Sequence, residues 1–330
     1  FEIEQRAPVR SALGAQRRRA AWLFLAPMLA VLAAVAAWPL LQTIWLSFTD
    51  ASLSQPGSGS FVGFVNYLEW VDYGDGEGEY FGVLADPQWW RAVWNTLYFT
   101  LVSVSIETVL GTIVALVLNA NFKGRALVRA AVLIPWAIPT VVSALMWQLI
   151  FDANGIFNKI IGHQILWTTE GWQAKAAVLI ADIWKTAPFI GLLTLAGLQT
   201  IDDQVYEAAA VDGASRWQTF WRITLPLIRP VLIVAVLFRV LDTMRMFDLP
   251  FVLLGRLESG QTLSMLAQDA ATKNQYGMAS AYSIVLFIYI FLVAFVFIRL
   301  LGADVLGEQE QVNRGRRRKK QLPEVADVTV

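Results

Sequence analysis

Long apolar stretches separated by shorter polar ones dominate the chain. A helix of about 20 apolar residues, at 1.5 Å per residue, crosses the hydrocarbon core of a bilayer, and lipid offers no partner for unpaired backbone groups. Six segments meet this requirement, at about residues 22–48, 93–119, 127–150, 175–199, 228–254 and 280–301. The pattern therefore predicts an all-α polytopic membrane protein with six transmembrane helices. Pro135, Pro139 and Pro188 fall within these segments, and we expect them to kink helices rather than end them.

Composition supports the membrane class and excludes several kinds of chemistry. Of the 330 residues, 56% are hydrophobic and 16% are charged, whereas soluble domains carry roughly 25% charged residues. The chain has no cysteine, which excludes disulfides and thiolate metal sites, and its one histidine, His163, cannot build a zinc site alone. It contains no GxxxxGK[ST] motif, so it has no P-loop for a nucleotide. We expect no cofactor in this chain; if ATP drives the protein, a partner subunit binds the ATP and Mg.

The distribution of basic residues predicts the orientation of the helices. Eighteen of the 26 lysines and arginines fall on one side of the six segments, in both terminal regions and in the loops near 120 and 200–230. Because basic residues accumulate on the cytoplasmic side, both termini should be cytoplasmic. The interpretation divides the chain into an N-terminal tail (1–21), a membrane domain (22–302) and a basic tail expected to be disordered (303–330). The acidic stretch at 72–79 is interpreted as exposed outer loop.

The cytoplasmic loop at 202–226 has the pattern of a helix, a turn and a second helix. Asp202 or Asp203 can cap the first helix, and Gly213 can supply the left-handed residue that ends it. Ser215 and Gln218 have the spacing of a capping box for the second helix, which Pro226 is then expected to stop. From these features alone, a well-capped connection between two spans is as good an interpretation as an interaction site.

The same loop resembles a known motif at nearly every consensus position. The sequence Glu207-Ala-Ala-Ala-Val-Asp212-Gly213 and the residues that follow, through Pro230, are similar to the EAA loop of ABC importer permeases. In that family the loop is the coupling helix that docks in a cleft of the ATPase subunit. The resemblance implies that Glu207 pairs with a basic group of the ATPase and that Gly213 shapes the turn, with Ala208 and Asp212 beside them.

Further motifs extend the resemblance over about 60–300. They resemble the carbohydrate-type permeases related to the larger subunit of the maltose transporter, and they imply the type I (MetI-like) permease fold with a core at about 92–300. The stretch 255–260 departs from the family's usual glycine-rich sequence there. The matching motifs are Phe61–Tyr67, Asp86–Thr96, Leu133–Pro139, Asp182–Phe189 and Leu241–Asp248.

Charged residues inside the fourth and fifth segments allow two interpretations. Ionisable groups in spans cost about 2.5–3.5 kcal/mol each and therefore mark interior faces. Alternating signs at steps of three residues permit pairing along one helix or between helices. The other interpretation is a polar passage that holds a hydroxylated solute. Glu107, in the second segment, is expected to be paired or protonated rather than to bind a ligand. The other charges are Asp182, Lys185, Arg239, Asp242, Arg245 and Asp248.

The resemblance places a solute pathway on these two segments. Carried over position by position, it indicates Asp182, Lys185, Thr186, Phe189, Arg239, Asp242, Thr243 and Met246. It implies a sugar, with disaccharides such as trehalose or maltose favoured, and glycerol-3-phosphate as the main alternative because its permeases share the motifs.

What the resemblance implies beyond this chain is a multi-subunit importer in the bacterial inner membrane. The expected partners are a second homologous permease, two copies of an ABC ATPase, an extracytoplasmic binding protein or lipoprotein, and the lipid bilayer, with no nucleic acid. Two other functions remain open: a proton-coupled secondary transporter that uses the intramembrane carboxylates, and a membrane scaffold without transport. The six-span count, the absence of an inverted repeat and the EAA loop disfavour the former.

Overall fold

The computed structural model describes residues 12–53, 59–74 and 77–302, and it is largely helical. The two strands are β1 (Glu69–Asp72) and β2 (Gly78–Phe81). The α-helices are α1 (Ala12–Leu32), α2 (Trp38–Leu46), α3 (Pro87–Asn119), α4 (Arg125–Ala137), α5 (Thr140–Ile150), α6 (Ile156–Ile161), α7 (Trp172–Leu198), α8 (Asp203–Val211), α9 (Arg216–Thr219), α10 (Leu225–Met244), α11 (Asp248–Leu254), α12 (Leu263–Thr272) and α13 (Tyr276–Phe297). Wider π-helical turns join or extend helices at Ala33–Ala37, Phe220–Thr224 and Ile298–Gly302, and Glu258–Gly260 forms a short 3₁₀ turn.

The predicted membrane spans correspond to helices of sufficient length and apolarity. Within the described residues, five continuous helices qualify, and α4 with α5 makes a sixth if the bent pair counts as one span. The five are Arg19–Leu46, Pro87–Asn119, Trp172–Leu198, Arg216–Met244 and Tyr276–Leu300. The prediction of a six-span helical membrane protein is therefore confirmed as to class. The second span begins earlier than predicted because Asp86 caps α3, accepting a hydrogen bond from Gln88 N at 2.8 Å, with Pro87 in the first turn.

The third span is broken rather than merely kinked, which corrects the prediction for Pro139. Helices α4 and α5 meet at an angle of 92°. A residue that precedes proline is driven out of the helical region, and Ile138 accordingly has ψ 133°. Pro135 and Pro188 lie inside α4 and α7, as expected.

The prediction that Pro226 ends a helix was wrong. The helix runs unbroken from Arg216 to Met244. In the π-helical turn before the proline, Leu225 N donates to Phe220 O, five residues back. This wider turn gives the ring of Pro226 room that a regular α-helix would deny it.

The fifth span also ends earlier than the predicted residue 254. Pro250 cannot donate to the carbonyl of Met246, and its ring would clash with that carbonyl in a continuous helix. The carbonyl instead accepts a hydrogen bond from Thr262 Oγ1 at 2.8 Å. The helix therefore stops at Met244 and restarts as α11 after Phe247.

The acidic segment is more ordered than a plain loop, which corrects the interpretation of residues 72–79. Strands β1 and β2 pair antiparallel, with Glu69 opposite Phe81 and Asp72 opposite Gly78. The rings of Trp70 and Tyr80 meet edge to face at 4.7 Å across this pair. Cross-strand aromatic pairs of this kind stabilise a two-stranded sheet.

The chain forms two compact units. Of the described residues, the first unit comprises those up to 83 together with 270–284, and the second comprises 84–269 and 285–302. In the first unit, Asn66 Nδ2 donates to the carbonyls of Ser47 and Thr49 at 2.9 and 2.8 Å, which fastens the segment after the first span to the end of that span. The basic tail at 303–330 and residues 1–11 lie outside the described residues, and residues 12–21 of the predicted tail are helical.

The core of the second unit is built on the packing of α3 along α7. Two glycines allow the close approach. A Cβ added to Gly111 would lie 2.8 Å from Ile190 Cβ and 2.9 Å from Gly191 N. Glycine at both positions lets the backbones approach closely, as at many helix contacts in membranes. This contact brings the polar side chains of α3 and α7 within reach of one another.

Candidate functional site

A polar cavity of about 230 Å³ lies among the membrane-spanning helices of the second unit. Its walls come from the start of α5, from α7, from the end of α10 and from the first turn of α11. Seven of the eight residues predicted for the solute pathway line it: Asp182, Lys185, Thr186, Arg239, Asp242, Thr243 and Met246. The lining adds Thr140, Arg245, Phe247, Asp248 and Leu249.

The eighth predicted residue, Phe189, is absent from the cavity lining. It lies one turn beyond Thr186 on α7, and its ring stacks on that of Trp136 at 6.1 Å. Among the added residues, Thr140 was missed because nothing in the apolar run 127–150 shows that the helix restarts there. Pro139 was the available signal, because the residue before a proline is biased away from the helical region and often marks a helix boundary.

Arg239 is the centre of a buried ion cluster that joins three helices. Its guanidinium donates from Nε to Glu107 Oε2 at 2.7 Å and from Nη1 to Asp242 Oδ2 at 2.7 Å. Nη2 donates to Glu107 Oε1 at 2.9 Å and to Asp182 Oδ2 at 3.1 Å. The side chains of Arg239 and Glu107 are 3% and 0% exposed, so the pair is removed from water. Glu107 is paired, as expected, and its partner Arg239 lies on another helix, α10.

Two hydroxyl groups complete the cluster. Ser103 Oγ lies 2.8 Å from Glu107 Oε1 and 2.6 Å from Asp182 Oδ2. Thr186 Oγ1 lies 2.6 Å from Glu107 Oε1. Buried charges persist in a protein when they are paired and their remaining lone pairs are hydrogen-bonded. The carboxylates of the cluster are paired with Arg239, and each of the two hydroxyl groups can donate one hydrogen bond to them at a time.

Lys185 does not pair with Asp182 along α7, although their spacing permits it. Its Nζ donates to the carbonyl of Ile138, which the break between α4 and α5 leaves free of a helical partner. At the end of α10 the three-residue spacing does produce ion pairs. Asp242 accepts hydrogen bonds from Arg239 and, at 3.3 Å, from Arg245. The cavity thus combines charged, hydroxyl and aromatic groups, which suits a hydroxylated solute.

The loop at 202–226 has the capped geometry predicted from its sequence. Asp202 accepts from Gln204 N at 3.0 Å to begin α8. Gly213 has φ 74°, and a Schellman motif ends the helix, with Ala214 N donating to Ala209 O and Gly213 N to Ala210 O. Ser215 and Gln218 form the reciprocal capping box that starts α9.

This hairpin presents the residues chosen from its motif at the surface. Glu207, Ala208, Asp212 and Gly213 are exposed, whereas Ala209 is buried on the opposite face. Among the described residues, no atom lies within 4 Å of the position a Gly213 Cβ would take.

An apolar cavity of about 850 Å³ lies behind the hairpin, between α3 and the helix that begins at Arg216. Trp217, Phe220 and Trp221 contribute their rings to it, and Arg216 is the charged group of its lining. A cavity so poor in polar groups is unsuited to a hydroxyl-rich solute. The polar cavity is the better candidate.

A second polar cluster fixes the turn at Glu258–Gly260. The carboxylate of Glu170 accepts hydrogen bonds from Glu258 N at 2.6 Å and from Ser259 N at 2.9 Å, and a further one from Ser259 Oγ. Burial acts to raise the pKa of Glu170, but these hydrogen bonds outweigh it and hold the pKa below its ordinary value of 4.5. The ionised carboxylate is therefore the form that holds the turn.

Acid should release this turn. A carboxyl group with a lowered pKa stabilises the folded form fully above pH 4.5, and the stabilisation is lost as pH falls through the folded-state pKa. We expect Glu170→Gln to lower the protection factors of the Glu258 and Ser259 amides at pH 7, and acid to lower them in the wild type, as measured by hydrogen–deuterium exchange with each rate referred to the intrinsic rate at the same pH. The control is Glu258→Gln, which removes the ion pair with Arg91 but keeps the backbone amide. Equal exchange in Glu170→Gln and the wild type at pH 7 would contradict this prediction.

Comparison with known proteins agrees with the geometry. The chain is 40% identical over 286 residues to the trehalose/maltose transport system permease protein MalF of Thermococcus litoralis, covering 84% of this chain and 92% of that protein. It is 37% identical over 292 residues to the trehalose transport system permease protein SugA of Mycobacterium tuberculosis, covering 88% and 91%. It is 33% identical to the sulfoquinovosyl glycerol transport system permease protein SmoG of Agrobacterium fabrum, covering 86% and 91%.

Solved structures show the same fold. A chain from the crystal structure of a bacterial ABC transporter involved in the import of the acidic polysaccharide alginate superposes with a TM-score of 0.72 at 21% identity, covering 87% of this chain and 96% of that one. A chain of the MetNI methionine ABC transporter superposes with a TM-score of 0.52 at 21% identity, covering 67% and 99%. The predicted MetI-like fold is confirmed.

Long apolar helices, a polar cavity among those of the second unit and an exposed capped hairpin are the features of a multi-pass membrane transport subunit. Residues 107–305 match the family of binding-protein-dependent transport system inner membrane components. The chain belongs to this family. It is thus a permease subunit of an ABC importer in the inner membrane, and it is not itself an enzyme.

Proposed function

We propose that this permease imports a sugar, and specifically a neutral disaccharide of the trehalose or maltose kind. The observation that carries the proposal is the similarity, over more than four fifths of the chain, to permeases named for trehalose and maltose. The polar cavity supports it, because hydroxyl, carboxylate and cationic groups can bind sugar hydroxyls and Phe247 can contact a ring.

Import would proceed by alternating access in a complex with other subunits. A loaded extracytoplasmic binding protein docks outside, and two ATPase subunits bind ATP and Mg inside. Their closure moves the hairpin, with Glu207 pairing with a basic group of the ATPase, Gly213 shaping the turn, and Ala208 and Asp212 at the contact. This chain and a second homologous permease then open the cavity to the cytoplasm. In this proposal the solute contacts Asp182, Lys185, Thr186, Asp242, Thr243 and Met246.

The test is ATPase activity and uptake by the purified complex in lipid vesicles, with its binding protein, across trehalose, maltose and glycerol-3-phosphate. We expect a neutral disaccharide to stimulate both. Stimulation by glycerol-3-phosphate alone would overturn the sugar assignment. Uptake abolished by a proton ionophore while ATP remains would indicate a secondary transporter, and an absence of uptake for every solute would favour a scaffold.

A further inference from the structure

The charged groups of the polar cavity balance one another. Three carboxylates and three cations line it: Asp182, Asp242, Asp248, Lys185, Arg239 and Arg245. A cavity with three cations could in principle hold a phosphate or another anionic solute. What decides this is how many of those cations can turn their N–H groups toward a solute.

Arg239 is occupied by carboxylates. Each of its three nitrogens donates to at least one carboxylate oxygen, and two of the four contacts go to Glu107. Glu107 is fully buried and lies outside the cavity lining, behind Arg239. It therefore adds a fourth negative charge close to the cavity without being able to touch a solute.

The other two cations are held by one contact each, unlike Arg239. Lys185 donates to the carbonyl of Ile138. Arg245 pairs with Asp242, and its side chain is 70% exposed. Together with Glu107, the carboxylates outnumber the cations around the cavity by four to three.

We propose that Glu107 determines the charge specificity of the cavity. By neutralising Arg239 from behind, it withdraws the guanidinium from the solute, so that the cavity accepts a neutral hydroxylated molecule and disfavours a phosphate or carboxylate. This inference rests on the proposed function, because it assigns the solute to this cavity. It makes Glu107 a residue that acts through Arg239 rather than by contact.

Removing this charge without changing the shape of the side chain should admit anions. Glu107→Gln keeps hydrogen-bonding groups beside Ser103, Thr186 and Arg239. It removes one of the negative charges that neutralise the guanidinium. One unit charge at the edge of a partly buried cavity is sufficient to change anion affinity by about tenfold.

The inhibitors must reach the cavity without passing through the binding protein, because the binding protein selects solutes itself. The complex is reconstituted in vesicles with ATP inside and loaded binding protein outside, and uptake of a labelled neutral disaccharide is measured. The lumen contains either the unlabelled disaccharide or its phosphate ester, either of which can reach the cavity from the cytoplasmic side. We expect the wild type to be inhibited by the internal neutral sugar and much less by the phosphate ester. In Glu107→Gln, the half-inhibiting concentration of the ester should fall about tenfold relative to that of the neutral sugar.

Two further variants keep the test decisive. Ser103→Ala removes a hydroxyl contact of the same cluster without changing charge, and should leave the ratio of the two inhibitors as in the wild type. Asp242→Asn removes a negative charge at the exposed side of Arg239, and should favour the ester even if Glu107→Gln fails to assemble. An unchanged ratio in the charge variants would overturn the proposal, as would an equal change in Ser103→Ala. If the wild type takes up no neutral disaccharide at all, it is the proposed function that fails.

Discussion

Arg239→Met is expected to destabilise the permease by about 3–5 kcal/mol, because it leaves buried carboxylates without their counter-charge. Glu107 and Asp182 are both buried, and Arg239 is the residue that pairs with each of them. Replacing it removes the link between α3, α7 and α10. The measurement is the apparent melting temperature of the purified complex, followed by loss of the monodisperse species on heating.

Arg245→Met is the matched control, since it makes the same substitution on the same stretch of chain. Its ion pair with Asp242 is exposed, and exposed pairs contribute about 0–1 kcal/mol. We therefore expect a melting temperature close to that of the wild type. The triple variant Arg239→Met, Glu107→Gln, Asp182→Asn should recover part of the loss, because no buried charge is then unpaired. Equal losses in the two single arginine variants would show that the cluster does not stabilise the bundle.

Gly213→Val should abolish most sugar-stimulated ATPase activity, by a factor of ten or more, while leaving the membrane helices folded. A β-branched residue at φ 74° is strained, and the turn between α8 and α9 must change shape to relieve the strain. If the hairpin couples the permease to the ATPase, the change breaks the mechanical link and not the cavity. ATPase activity and uptake in vesicles measure the effect.

Gly162→Val provides the comparison for backbone strain alone. Gly162 has φ 82° at the end of α6, and, as with Gly213, no atom lies within 4 Å of its added Cβ. It carries the same conformational penalty at a helix end far along the chain from the hairpin. We expect near wild-type coupling. A comparable loss at both glycines would indicate a general folding defect instead of uncoupling.

The sequence was most informative where local chemistry determines the structure. Apolar length located the spans, and the Ser215–Gln218 spacing located a capping box that the structure contains. Gly213 could be assigned a left-handed conformation because few other residues adopt it at a helix end. The capping box and the left-handed turn depend on residues within one or two helical turns of each other.

Interactions between distant segments could not be predicted in the same way. The pairing of Arg239 with Glu107 joins residues 132 positions apart, and the sequence offers nearer candidates on α10 itself. Lys185 could not be assigned to Ile138, since the free carbonyl exists only because the chain bends by 92° at Pro139. The strand pair β1–β2 was missed because the segment is rich in glycine and carboxylate residues, which are depleted in strands in general.

The unbroken helix from Arg216 to Met244 makes the hairpin and the ion cluster two ends of one lever. From Arg216 to Arg239 the helix measures about 35 Å at 1.5 Å per residue. A tilt of about 5° at the hairpin end would displace the guanidinium by roughly 3 Å, comparable to the length of each of its hydrogen bonds. If the hairpin couples to an ATPase as proposed, the π-helical turn at Phe220–Thr224 lies between the hairpin and the ion cluster, and its stiffness would determine how much of a displacement at the hairpin reaches the guanidinium.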